Sequence, residues 1–232
     1  MESTFGIPSG HAQNSMAIWG TIAAGLNRRW AWILAIGLAL LVGFSRLYLG
    51  VHFVQDVLLG WLIGLILLFV FLRLWDPVAA WLKQKTLGQQ VTIAFLTSLL
   101  MIAAGVIFIL PMNAYVFPAE WADNALRAGP VPDPVSIEGV FTSAGILFGL
   151  AAGVARIEAQ GGYQASGPLE KRALRYVIGL IGVMILWFGL GQVFPDGETV
   201  IPLVLRYLRY ALVGYWITAG APWLFFHFNL VR

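Results

Sequence analysis

Residues 55–75 read QDVLLGWLIGLILLFVFLRLW. From Val57 to Leu72 no side chain is charged, and Arg73 is the first to interrupt the run. A helix needs roughly 20 such residues to cross a hydrocarbon layer about 30 Å thick. Six further stretches have the same character, near residues 12–26, 31–50, 89–110, 137–155, 174–194 and 200–226. The sequence therefore predicts an all-α fold, a polytopic helical membrane protein with about seven transmembrane helices. The first stretch is short for a span, and is expected to be lengthened by the turn before it or buried among its neighbours. Glycine and proline inside these runs count less against helix than in water, because neighbouring helices re-satisfy freed backbone groups.

Composition points the same way. The 232 residues are 59% hydrophobic and only 11% charged, where a soluble domain carries about 25%. There is no cysteine, which excludes a disulfide framework, thiol catalysis and a cysteine-ligated metal. No signal-peptide pattern precedes the first run, so insertion is expected to rely on the helices themselves.

Charge placement predicts orientation. With the amino terminus outside, the inner segments hold Arg28, Arg29, Arg73, Lys83, Lys85, Arg156, Lys171, Arg172, Arg175 and Arg232. Only Arg46, Arg127, Arg206 and Arg209 stay outside, with the acidic Glu120, Asp123, Asp133, Glu138, Asp196 and Glu198. This is the distribution that the positive-inside rule requires. In a bacterium the outer side of the inner membrane is periplasmic.

The polar residues bordering the quoted run are the chemically informative ones. His52 and Asp56 stand four apart at its start. On a helix that spacing puts both on one face, where a carboxylate can hold one imidazole nitrogen and leave the other as a nucleophile. Ser45-Arg46 precedes them, and Pro8-Ser9-Gly10-His11 opens the first run. A helix start suits a phosphate through its free N–H groups and positive dipole end. Each string alone reads equally as a turn, a cap, an interfacial anchor or a structural ion pair. Their joint occurrence is more telling, because two of the three histidines fall within them. The third, His227, sits among aromatics as an ordinary interfacial residue.

Together, Pro8-Ser9-Gly10-His11 and Ser45-Arg46-x5-His52-x3-Asp56 resemble the second and third signature motifs of the type 2 phosphatidic acid phosphatase (PAP2) superfamily, in family order. The resemblance covers residues 5–75. It implies that the first three helices correspond to the second half of a six-helix core. It implies a membrane phosphatase of a lipid phosphate or polyprenyl diphosphate, working through a phosphohistidine without metal or other cofactor. His52 would be the nucleophile, Asp56 its orienting partner and His11 the general acid, with Ser9, Gly10 and Arg46 binding phosphate. Vanadate, a phosphate mimic, would inhibit. The bilayer is the expected surrounding, nucleic acid is not a partner, and a homo-oligomer is one way of supplying missing parts.

The family's first motif, Lys-x6-Arg-Pro, is not found; Lys83 and Lys85 lie on the wrong face and lack the pattern. The expectation is an amino-terminally truncated chain that begins at an internal methionine of a longer protein. Residues 1–76 would be a partial phosphatase core and 77–232 an accessory transmembrane region. The alternative is a truncated, catalytically inactive relative with a structural or lipid-binding role. A transporter is disfavoured, since no paired broken-helix pattern is visible. Three other segments carry expectations. Residues 112–136, bordered by Pro111 and containing Pro118, Pro130, Pro132 and Pro134, read as an ordered outer loop. Residues 199–210 read as an interfacial segment, or as an anionic-headgroup contact through Arg206 and Arg209 beside Tyr207 and Tyr210. Arg156 to Arg175 reads as a solvated inner loop.

Overall fold

The computed structural model describes residues 6–114, Glu120 and 135–231. The described residues divide into two compact units, residues 6–83 with Glu120, and residues 84–114 with 135–231. In the first lie α1 (Gly10–Leu26), α2 (Arg29–Tyr48) and α3 (Val54–Lys83). In the second lie α4 (Leu87–Ile109), α5 (Glu138–Glu158), α6 (Leu169–Val193) and α7 (Val200–His227). Among the described residues all regular structure is helical. The six helices α2 to α7 are long and apolar enough to cross a membrane. The helix α1 has 17 residues, as the short first run leads one to expect. The chain is a multi-span integral membrane protein.

In the first unit α1 packs on both α2 and α3. The contact is made by small residues. The buried positions of α2 are Ala31, Ala35, Ala39 and Gly43, one every four residues and hence one narrow stripe. On α3, a Cβ at Gly60 would stand 2.5 Å from the Ser9 carbonyl oxygen, and one at Gly64 would stand 2.5 Å from that of Gln13. The backbones of α1 and α3 therefore touch, the close approach by which membrane helices associate when no hydrophobic driving force separates them from lipid. Trp61 Nε1 donates to the Ala39 carbonyl at 3.2 Å and ties α3 to α2. The helix α3 outruns the expected span, passing through Pro77 to Lys83; a proline costs a membrane helix less than a soluble one.

In the second unit α5 packs on α7 and α4. Gly145 and Gly149 of α5 receive the carbonyls of Tyr207 and Ala211. Ser98 of α4 and Tyr207 of α7 join their buried hydroxyls at 2.7 Å, and the Phe148 ring stacks on Tyr207 with centroids 6.2 Å apart. Both α6 and α7 contain a π turn, Ile185–Gly189 and Trp216–Gly220. In α7 the cause is close by. Pro222 has no N–H for the Thr218 carbonyl and its ring crowds it, so the helix widens just before it. The Thr218 hydroxyl donates to the Gly214 carbonyl at 3.0 Å and the Leu150 carbonyl at 3.3 Å.

Two expectations change here. Residues 200–210 are the first turns of α7, and Arg206 meets Glu138 at 2.6 Å and Asp196 at 3.7 Å, so a carboxylate rather than a headgroup answers its charge. Arg175 is not solvated: it is 4% exposed. Its Nε donates to the Lys171 carbonyl, Nη1 to the Tyr163 hydroxyl and Gln164 carbonyl, and Nη2 to the Ala165 and Ser166 carbonyls. A buried cation needs such compensation. Of the expected proline-rich loop, Pro111 lies in a 3-10 turn, Leu110–Ala114; Pro118, Pro130, Pro132 and Pro134 lie outside the described residues.

Candidate active site

The site residues gather where α1 and α3 begin. Ser9 is the N-cap of α1: its Oγ accepts from the Ala12 N–H at 3.4 Å, and its side chain is buried. Its own N–H donates to the Asp56 carbonyl at 2.9 Å. The small-residue turn at the head of α1 is thus pinned to the first turn of α3. A Cβ on Gly6 would stand 3.7 Å from Asp56 Oδ2, so the same turn passes beside the carboxylate itself.

Asp56 does two things with that carboxylate. Its Oδ2 accepts the Phe53 N–H at 2.8 Å, capping a donor that the helix start leaves without an intrahelical partner. The same oxygen lies 3.5 Å from His52 Nδ1, with side-chain exposures of 6% for Asp56 and 1% for His52. The expectation had both residues on one helical face. In fact α3 starts at Val54, His52 precedes it in a bend, and the pair meets because Asp56 reaches back over the helix start. A contact of 3.5 Å is longer than an ordinary hydrogen bond.

Arg46 is in the last turn of α2, half-buried, with Nε donating to Ser45 Oγ at 3.3 Å. The Ser45 hydroxyl in turn donates to the Val42 carbonyl at 2.7 Å. After Arg46 the chain turns sharply. Gly50 N–H donates to Leu47 and Val51 N–H to Arg46, at 3.0 and 3.2 Å, and Gly50 takes φ 68°, where glycine meets no steric penalty. That turn delivers His52 to the start of α3 and keeps Arg46 at the same end. Gly10 and His11 are exposed on the first turn of α1, and a Cβ on Gly10 would meet nothing within 4 Å.

Ser9, His52 and Asp56 are therefore in one contact cluster, with Gly10 and His11 immediately beside Ser9 in the chain. Sequence reasoning assigned no part to Gly6, Gly60 or the Phe53 N–H, which position this cluster. Gly60 had a visible signal, since Gly60 and Gly64 form a small-xxx-small pair inside an apolar run.

Comparison with known proteins adds the following. Residues 1–80 match the family model described as PAP2 superfamily, and residues 141–232 match that described as PAP2 superfamily phosphatase, transmembrane extension. The chain is 44% identical over 78 residues to Phosphatidylglycerophosphatase B of Bacillus subtilis (strain 168), covering 30% of this chain and 38% of that protein. It is 44% identical over 61 residues to Undecaprenyl-diphosphatase of Sulfolobus acidocaldarius, covering 26% of this chain and 29% of that protein. The chain thus spans well under half the length of either curated relative. No solved structure matches it.

Proposed function

We propose that this chain, which belongs to the PAP2 superfamily of phosphatases, carries part or all of an enzyme that removes phosphate from a membrane lipid. One observation bears most of the weight: a buried histidine facing a buried carboxylate at 3.5 Å, directly beneath the capped turn at the head of α1. Nδ1 held by Asp56 leaves Nε2 of His52 as the nucleophile. Nε2 attacks phosphorus, the bond from phosphorus to the leaving oxygen breaks, and His11 gives that oxygen a proton. Water then attacks the phosphohistidine, returns a proton to His11 and frees His52. The charge on the transferring group is met by Arg46 and by the amino end of α1, the positioning and neutralisation that phosphoryl transfer needs. Ser9 shapes this cradle as a cap, with Gly10 leaving its mouth open. Because the imidazole is covered, phosphate reaches Nε2 only when its surroundings part.

The two relatives named above suggest phosphatidylglycerol phosphate or a polyprenyl diphosphate as substrate. Residues 1–76 are the phosphatase part in this reading and 77–232 an accessory membrane region. The charge distribution supports an active site on the outer face, periplasmic in a bacterial inner membrane. The test is phosphate release in lipid vesicles without added metal, from phosphatidic acid and from a polyprenyl diphosphate, beside His52→Ala. Loss of about a thousandfold or more in the variant is expected for a missing nucleophile. Equal release by both chains would remove His52 from the mechanism. No release from either would favour the catalytically silent alternative.

A further inference from the structure

The second unit contains a groove of about 690 Å³ among α5, α6, α7 and the loop after α5. That volume is in the range of ligand pockets. Its lining is mostly apolar, including Leu180, Val183 and Ile217, and also carries Arg172 and Glu158. Both charged residues are exposed, and among the described residues neither has an ion-pair partner. One groove thus presents a cation, an anion and apolar surface together.

Three features show that this groove is held open. Arg175, in its wall, clasps the loop through the carbonyls of Gln164, Ala165 and Ser166, so the loop does not collapse inward. Trp216 Nε1 bonds the Gly179 carbonyl at 3.0 Å and fixes the spacing of α6 and α7. The π turn of α7 places Ile217 and Thr218 in the lining, and such turns recur at functional sites. Gly179 also lines the groove, and a Cβ there would meet no atom within 4 Å. The space is real at that point.

We infer that this groove binds a phospholipid whose headgroup carries a primary amine, with its phosphate on Arg172, its ammonium on Glu158 and an acyl chain along Leu180 and Ile217. A purely anionic headgroup would leave Glu158 facing negative charge. A quaternary amine would offer its carboxylate no N–H. Basic grooves between membrane helices hold lipid headgroups on general electrostatic grounds, and the acid–base pair here narrows the choice.

The experiment is native mass spectrometry of the full chain, delipidated in detergent and offered equal phosphatidylethanolamine, phosphatidylcholine and phosphatidylglycerol. Preferential retention of phosphatidylethanolamine is expected. Gly179→Leu, at a position where an added Cβ meets nothing within 4 Å, puts a bulky side chain into the groove, and should abolish retention of all three while the thermal midpoint without lipid stays at or above that of the parent. Glu158→Gln should lower the preference for phosphatidylethanolamine over phosphatidylglycerol by about two- to fivefold, the scale of one exposed ion pair. Retention undiminished in Gly179→Leu would overturn the site. Equal retention of the three lipids by the parent, or a preference for another of them, would overturn the headgroup assignment. Neither readout depends on phosphatase activity.

Discussion

Asp56 makes three separate connections within one helical turn. Its carboxylate caps Phe53, the same oxygen faces His52, and its carbonyl accepts the Ser9 N–H. Asp56→Asn keeps an acceptor for Phe53 but loses the charge that holds the imidazole and stabilises its cationic form. We expect kcat to fall about 10²- to 10⁴-fold, the range of a lost proton-handling or orienting group, with thermal stability lowered by about 1 kcal/mol or less. Phosphate-release kinetics beside a thermal melt would check this; an unchanged kcat would mean that His52 acts without it. Spacing made this pair legible in the sequence, yet for a partly mistaken reason. Four residues apart suggested one helical face, whereas the contact comes from a side chain folding back over a helix start. Arg175 was misread because a loop's composition does not reveal that its carbonyls converge on one guanidinium.

At the scale of the helix, backbone-to-backbone contact between α1 and α3 is what holds the two motif-bearing starts together. Gly60→Ala would place a Cβ 2.5 Å from the Ser9 carbonyl and force the helices apart, at a cost of about 1 to 3 kcal/mol. The expected result is a lower melting temperature in detergent together with reduced turnover. Gly25→Ala in α1 is the control, since its Cβ would meet nothing within 4 Å, and should be neutral or mildly stabilising. If both variants melt alike, the close crossing is not what supports the site. Helix number and approximate limits were readable from apolar run length, because the bilayer sets that length physically. The π turns were not: a proline marks a disturbance of the hydrogen-bond ladder, but whether the helix kinks, ends or widens depends on neighbours such as Thr218 and Leu150.

For the whole molecule, orientation is the property most open to a direct check. The chain has no cysteine, so single cysteines can be labelled without background. Asp196 is 85% exposed in its side chain and belongs to the outer set in the charge reading; Gln160 is exposed in the inner set. A membrane-impermeant maleimide on intact cells should label Asp196→Cys and spare Gln160→Cys until the membrane is opened. The reverse pattern would invert the proposed topology and put the phosphatase motifs on the inner face. The chain divides after Lys83, at the end of α3, and the long continuation of that helix past Pro77 could not be read from the sequence.

Helices that meet through alanine and glycine leave their large side chains pointing the other way. Ile33, Leu41 and Phe44 on α2, and Leu62, Ile66 and Phe69 on α3, are all mostly exposed in their unit, while the stripes between them are nearly bare backbone. The memory of the fold and the address to the membrane are thereby written in different alphabets. Bilayers differ in thickness by a few ångströms, and fitting one costs or gains fractions of a kcal/mol per ångström. A lineage moving to a new membrane could therefore rewrite the bulky outward letters freely, as long as it left the small inward ones untouched.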